Sequence, residues 1–404
     1  MLSPAANPFA PRLSPAELAA LPAEQRALAE RLGAFALPGH GVAGAWPPLD
    51  RAGWAALGAA GLLGVGLPKE AGGGGAGAGG SALLARSLVR AGGAGLLLGV
   101  GVQADIAPRW LLLPGRAELA TRWLPGLLDG TVVACQADTD PAPDRPVTAV
   151  FDGGDVVLNG SKHYVINAAS ADVAFVGARL GGAAALVLVP LDTPGVTVRA
   201  PYDKWGTRAV DSAAIDFAGA RVPASHLLSQ RGIGQLLRWN RVMARMRFLV
   251  AAGAAAFHAM LLERVQVYVK VRPLGGRPLG AWPVNAHALA RARADLELME
   301  AGIRQASRAF DGGRAPVSEV AQLKWFCVER ATAFAGLCAD LEGGAGYMRG
   351  TAFALDIHAE LRGLRMASGS QTTMLTVANH TLACRAELAS APGEPRPTSE
   401  EEHR

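Results

Sequence analysis

Gly343-Gly344-Ala345-Gly346-Tyr347 opens a stretch that closes on Ser368-Gly369-Ser370-Gln371. Three glycines stand within four residues at one end, and a second small-residue turn stands at the other. The run between them is mostly apolar, with Arg349, Asp356, His358, Glu360, Arg362 and Arg365 as its ionisable residues. Glycine permits φ > 0 and lets a backbone approach a ligand closely. A Gly/Ser turn ahead of a long helix leaves free N–H groups that suit a phosphate or a carbonyl oxygen. The plain alternative is a surface turn between two core helices, and short glycine motifs also arise by chance. The rest of the chain decides between them.

The chain of 404 residues is long enough for two or three domains and a large core. Charged residues make up only 18% and glycine numbers 50, a composition suited to closely packed helices with small side chains. The net charge of +5 is modest and the arginines are scattered. That argues against a nucleic-acid stripe, as does the lack of aromatics interleaved with basic residues. Cys135, Cys327, Cys338 and Cys384 form no C-x-x-C pair, which argues against a metal site or a disulfide framework. Buried free thiols in a reducing cytoplasm fit better, so the expected location is cytoplasmic. Met1 to Arg12 lacks an apolar core of signal-peptide length. The longest apolar run, Phe248 to Leu262, contains His258 and falls short of the ~18–20 residues of a membrane span, so it reads as a buried helix.

Working back to the start, Ser14 to Phe35 reads as helix, with Ser14 as N-cap, Pro15 at N1, an early acid at Glu17, and Pro38 and Gly39 as the stop. Asp50 to Leu63, Ser81 to Arg90, Leu96 to Trp110 and Ala117 to Leu128 are further helices, with an ordered glycine-rich loop after Ala71. At Thr131 the texture changes. Val132–Cys135, Val147–Phe151, Val156–Leu158, Val173–Val176, Ala185–Val189, Val196–Val198 and Ala213–Phe217 are strand-like. Turns at Asp152-Gly153-Gly154-Asp155, Asn159-Gly160 and Pro194-Gly195 punctuate them. After Pro223 four long helical patterns follow: Ile233–Tyr268, Val284–Asp311, Val317–Asp340 and Gln371–Leu388. The expected class is α+β. Residues 1–130 form an N-terminal helical domain, 131–228 a small antiparallel β domain, and 229–390 a C-terminal four-helix bundle. Residues 391–404 form a polar tail, expected to be disordered.

That order, with a set of motifs in register, resembles the acyl-CoA dehydrogenases over about residues 15 to 388. The motifs are Gly61-Leu62-Leu63-Gly64 with Pro68-Lys69-Glu70, Trp123-Leu124-Pro125 with Gly130, and Leu158-Asn159-Gly160-Ser161-Lys162 with Asn167-Ala168. Lys204-Trp205-Gly206-Thr207-Arg208, Val222-Pro223, Arg247 with Ala251-Ala252-Gly253, Arg272 with Gly276-Arg277-Pro278-Leu279, and the opening glycine motif complete the set. The resemblance implies an FAD site between the β domain and the bundle, and a tetramer in which each flavin touches a neighbouring subunit. It implies an oxidoreductase that dehydrogenates an acyl thioester at Cα–Cβ, with an electron-transfer partner. It assigns Cys135, Gln136, Ala137, Tyr164, Ile166, Arg272, Gly343, Gly344, Ser370 and Thr372 to cofactor binding, and Arg247 and Tyr347 to substrate binding.

The departures bear on chemistry. The family's catalytic Glu commonly precedes a Gly-Thr turn; here Ser368 stands there, or Ala367 with a different gap. The family's other position for that Glu, just before the arginine matching Arg247, is Met246. A hydroxyl without a partner is too weak to take an α-proton. The family's threonine near the flavin is Ile166 and its aromatic is Tyr164. Its Ala-Gly-Ser-Asp loop near the CoA phosphates is replaced by Pro141-Ala142-Pro143-Asp144-Arg145-Pro146. Two glutamines that help hold FAD are Pro283 and Asp340, and the phenylalanine before Gly276 is Gly275.

Three readings follow. The chain is an active dehydrogenase using another acid, with Glu360, Asp356 or Glu342 as candidates. Or it is a base-lacking subunit of a hetero-oligomer with a Glu-bearing paralogue, lending Arg272 to the partner's flavin and binding FAD weakly or sharing it. Or it is a flavin monooxygenase on the same fold, for which His163 or His358 could serve.

Overall fold

The structure is a computed structural model that describes residues 7–37, 47–228 and 233–379. Pro38, Gly39, the part of the expected last helix beyond residue 379, Cys384 and the polar tail lie outside the described residues.

The first expected helix is two. Ser14 caps α1 (Pro15–Ala19): its hydroxyl accepts the Glu17 N–H at 3.2 Å while the Glu17 carboxylate accepts the Ser14 N–H at 2.8 Å. Such a reciprocal cap is worth about 1 kcal/mol. Pro22 then interrupts, because it has no N–H to give a continuing helix, and α2 (Ala23–Ala34) starts behind it. After α3 (Arg51–Ala59), the glycine-rich loop is ordered by its own backbone: Gly73, Gly74, Gly75 and Ala76 donate to the carbonyls of Pro68, Gly64, Leu67 and Val65 at 2.9–3.0 Å.

The next two expected helices are fused into α4 (Gly77–Gly101), which bends where Gly92 and Gly93 leave helical geometry, Gly93 with φ 72°. A π-helical turn (Val102–Ile106) leads into α5 (Ala107–Leu111), and α6 (Ala117–Asp129) ends on left-handed Gly130. The π turn points Asp105 into the core, where it pairs with Arg109 and with Arg245. Burial alone would push that carboxyl up; the two guanidinium groups outweigh it and hold it far below the usual range.

The central part holds β1 (Ala134–Ala137), β2 (Thr148–Asp152), β3 (Asp155–Ile166), β4 (Val173–Leu180), β5 (Ala183–Pro190), β6 (Val196–Val198) and β7 (Ser212–Pro223). β5 pairs antiparallel along one edge of β4. β1 and β2 share the other edge end to end, both parallel to β4, with Ala134 opposite Val173 and Thr148 opposite Arg179. The path then runs β2–β3–β7–β6, all antiparallel. The β4 pairings with β1 and β2 thus depart from the all-antiparallel pattern. A core of its own, including Val156, Leu158, Val176, Val187, Ile215 and Phe217, fills one side.

Behind it α7 (Ile233–Val271) connects through a two-stranded hairpin, β8 (Pro273–Leu274) and β9 (Arg277–Pro278), to α8 (Pro283–Asp311) and α9 (Val317–Glu342). α10 (Phe353–Met366) lies between the two small-residue turns, and residues 371–379 are helical again. α10 is absent from the sequence expectations, although Ala354, Ile357, Leu361 and Leu364 recur at helical spacing and are all buried. Two stretches, Gly77–Leu111 and Leu237–Val271, have the length and apolarity of a membrane span, but 83% and 78% of their windows are buried inside the fold, so both are core helices.

Candidate functional site

α7 carries Trp239, Asn240, Met246 and Arg247 past the residues that follow β1 and the turn after α10, touching the first through Trp239 and Asp138 and the second through Arg247 and Ser368. Arg247 is 1% exposed. Its Nε–H donates to the Ser368 carbonyl at 3.2 Å, its Nη1 donates to Asn240 Oδ1 at 3.3 Å, and its guanidinium faces the Trp239 ring at 5.6 Å. Lys324 of α9, fully buried, reaches the same turn and donates to the carbonyls of Ala367 and Gly369. Three successive carbonyls therefore accept from two buried cations. The backbone that aims them is left-handed at both Ser368 (φ 56°) and Gly369 (φ 102°). Glycine tolerates that; for the serine it costs on the order of 1 kcal/mol. Burial pulls Arg247 down to about 10, and burial together with the Arg247 charge pulls Lys324 down to about 7. No ion pair joins either cation to a carboxylate among the described residues; their partners are the turn carbonyls and Asn240.

A row of hydrogen bonds crosses from the helical part through β1 to α7. Trp110 Nε1 donates to Gln136 Oε1 at 2.9 Å, Gln136 Nε2 to Asp138 Oδ1 at 3.0 Å, and Trp239 Nε1 to Asp138 Oδ2 at 3.1 Å. Burial pushes the Asp138 carboxyl up against the pull of those bonds. Lys162, 2% exposed, donates to the Asp138 carbonyl at 2.9 Å and pairs with Asp140 at 2.6 Å, fixing the start of the proline-rich loop.

The candidate acids stand elsewhere. Glu360 accepts the N–H groups of Thr207 (2.6 Å), Ala94 (2.7 Å) and Gly95 (3.3 Å). It thereby ties α10 to the bend of α4 and to the Lys204–Arg208 segment. Burial pushes it up, opposed by those three bonds. Glu342 pairs with Arg264 at 3.3 Å and leaves Oε2 buried without a partner. It is about 27 Å along α9 from Lys324 at 1.5 Å per residue. Asp356 is exposed. Glu329 hydrogen-bonds Gln371 at 3.2 Å and is ion-paired to Arg365 at 2.7 Å. At the alternative base position, Met246 is 3% exposed.

The residues assigned to the cofactor fall into two groups. Cys135, Gln136 and Ala137 on β1 lie beside Tyr164 and Ile166 on β3, joined by His163 N–H to Thr139 O at 2.8 Å and Asn167 Nδ2 to Ala134 O at 3.1 Å. Tyr164 has φ 55° and is 66% exposed, its ring 5.2 Å from that of Tyr202. His163 sits edge-on to it at 6.0 Å, and His358 is half-buried on α10. Ser370 and Thr372 follow the turn; the Ser370 hydroxyl accepts the Thr373 N–H at 3.2 Å and so caps the helical segment 371–379. Arg272, Gly343, Gly344 and Tyr347 gather at the opposite end of the bundle, where Tyr268 donates to the Glu342 carbonyl at 3.4 Å. Arg272 is about 37 Å from Arg247 along α7, farther than a dinucleotide reaches. There Gly343 needs its positive φ of 59°, and a Cβ on Gly346 would lie 2.7 Å from the Ala339 carbonyl, whereas Gly344 faces open space. The aromatic ring-side set, with an exposed tyrosine beside an edge strand, fits a flat heterocycle within one chain.

Lys324, Asp138, Trp239 and Asn240 went unread in the sequence. Lys324 had a signal: it is a lone charge in Leu323-Lys324-Trp325-Phe326-Cys327. Asp138 and Trp239 had none, since they meet only across the β domain and the bundle.

Comparison with known proteins bears on the whole arrangement. The N-terminal, middle and C-terminal domain descriptions of the acyl-CoA dehydrogenases match residues 23–131, 136–220 and 236–382. A probable acyl-CoA dehydrogenase of Bacillus subtilis, YngJ, is 29% identical over 307 residues, 72% of this chain and 80% of its own. The crystal structure of an acyl-CoA dehydrogenase from Geobacillus kaustophilus has a TM-score of 0.77 at 26% identity, covering 83% of this chain and 90% of its own. A glutaryl-CoA dehydrogenase from Mycobacterium smegmatis, solved in complex with FADH2, has a TM-score of 0.76 at 27% identity, covering 83% and 87%. With the three domains matched in order along the chain, the protein belongs to the acyl-CoA dehydrogenase family.

Proposed function

We propose that this chain is a flavin-associated protein of acyl-thioester metabolism that carries no α-proton base of its own and works as one subunit of a hetero-oligomer with a Glu-bearing paralogue. The observation that carries the proposal is the turn 367–369, where buried Arg247 and Lys324 meet backbone carbonyls and, among the described residues, no carboxylate pairs with them. Glu360, Asp356 and Glu342 do not replace a base there, because the first is committed to three backbone donors and the other two lie turns away along their helices.

FAD, when bound, supplies the hydride acceptor. Cys135, Gln136, Ala137, Tyr164 and Ile166 would hold its ring side, together with Ser370 and Thr372. Arg272 and Gly343–Gly344 would serve the phosphates of a flavin on a neighbouring subunit. Val267, Val271, Leu274, Tyr347 and Met348 are exposed around that end, which supports a subunit contact there. The cytoplasm is the location that this metabolism and the free thiols suggest.

The test is the flavin content and turnover of the purified chain. Alone it binds FAD weakly and reduces no artificial acceptor with acyl-CoA substrates. Co-expressed with a Glu-bearing paralogue, it yields a complex with fewer flavins than chains. Yellow protein with robust turnover, or one flavin per chain, contradicts the proposal.

A further inference from the structure

We infer that Asp138 is a positioning residue for the flavin: its carboxylate clasps the end of β1 to α7 and orients Gln136, so that the ring-side face of β1 is set only while that carboxylate carries its charge. The inference rests on the flavin placement proposed above.

An indole N–H donates and cannot accept. Trp110, 0% exposed, donates to Gln136 Oε1 at 2.9 Å and so fixes which way the Gln136 amide faces. The amide nitrogen is thereby turned to Asp138 Oδ1, to which it donates at 3.0 Å. Trp239 of α7 takes the other oxygen, donating to Oδ2 at 3.1 Å. With an indole at each end the row allows one sense only, and that sense requires both Asp138 oxygens to accept. Protonation turns one of them into a hydroxyl donor facing an N–H, and one link of the row is lost.

The surroundings are shaped to this acid. Lys162 donates to the Asp138 carbonyl at 2.9 Å, so the backbone is held from β3 while the side chain reaches α7. Gly177 of β4 leaves the space beside the carboxylate, since a Cβ there would stand 3.1 Å from Asp138 Oδ1. Burial raises the carboxyl above the usual range against the pull of the Gln136 and Trp239 bonds, which moves the loss of the clasp toward neutral pH. Of the charged groups around it, Lys162 favours the ionised form and Asp140 disfavours it. His163 adjoins Lys162 on β3 and donates its backbone N–H to Thr139. On α7, Arg247 faces the Trp239 ring, and Arg238 and Arg241 flank that tryptophan in sequence.

The experiment takes the full chain, as purified, through two titrations from pH 8 to pH 5. The indole N–H signals of Trp110 and Trp239 are followed by NMR without flavin, and the dissociation constant of FAD is measured by flavin fluorescence. The Trp239 signal moves through one titration, and FAD affinity falls about ten-fold through the same midpoint. Asp138→Asn, whose amide cannot accept from both donors, binds FAD at the weak, acid-side level throughout, changing by less than about two-fold. A Trp239 signal that does not titrate overturns the inference, and so does an FAD affinity that stays flat while the signal moves; the flavin placement survives both. FAD binding at no pH removes the flavin placement and this inference with it. Because the native chain is compared with itself across pH, the result does not depend on the variant folding.

Discussion

Arg247 holds Ser368 by its backbone: the guanidinium Nε–H meets the Ser368 carbonyl at 3.2 Å, while the serine side chain is left out of that contact. The turn is therefore built around cations whatever side chain it bears, and the side chain decides whether an acid is present. Ser368→Glu places a carboxylate beside Arg247 and Lys324. It stabilises the protein by roughly 1–2 kcal/mol through charge compensation, whereas Ser368→Gln does not. Denaturant melts of both variants check this, and equal midpoints for the two contradict it.

Glu360 is a structural carboxylate in this account. Glu360→Ala strands three backbone donors at the bend of α4 and the 204–208 segment. It lowers stability by about 2–4 kcal/mol, and Glu360→Gln, which keeps acceptor oxygen, by less. If Glu360→Ala instead folds with unchanged stability, the role is wrong.

Lys324 makes stability depend on pH. Its folded value of about 7 lies below its ordinary 10.5, so between those limits the unfolded chain binds the extra proton. Stability contributed at this site therefore rises with pH from about 7 upward, with a slope approaching ~1.4 kcal/mol per unit, and is unaffected below that window. The melting temperature of the native chain climbs from pH 7 to 9 relative to Lys324→Met. Parallel curves for the two contradict it.

Arg272 is exposed, and its side chain makes no hydrogen bond or ion pair among the described residues. Arg272→Ala leaves the melting temperature of the chain unchanged but lowers the flavin content of the hetero-oligomer several-fold, read from the flavin absorbance per chain. Unaltered flavin content removes Arg272 from the cofactor.

Much of the fold was legible because its signals are local. The Ser14–Glu17 cap and the Gly153-Gly154 hairpin are written in neighbouring residues, whereas Asn159-Gly160, which reads as a turn, is a register shift inside the continuous strand β3. What was not legible is what long-range contact decides. The bend of α4 at Gly93 makes sense only once Glu360, far along the chain, is seen to fill it. Ser14 to Phe35 reads as one helix, and Pro22 divides it. The parallel pairing of β1 on β4 follows from a crossover that turn residues do not encode. At the turn after α10, the absence of a carboxylate could be read directly. That two buried cations converge on it could not, because Arg247 and Lys324 come from different helices and meet only in the folded bundle.

The central claim is that no side chain here removes an α-proton, and exchange tests it without any electron acceptor. The purified chain is incubated with a saturated acyl-CoA in deuterated water and the acyl α-position is followed by NMR. The account predicts no exchange above the protein-free rate for the native chain. Deuterium entering the α-position of the thioester with the native chain alone contradicts it.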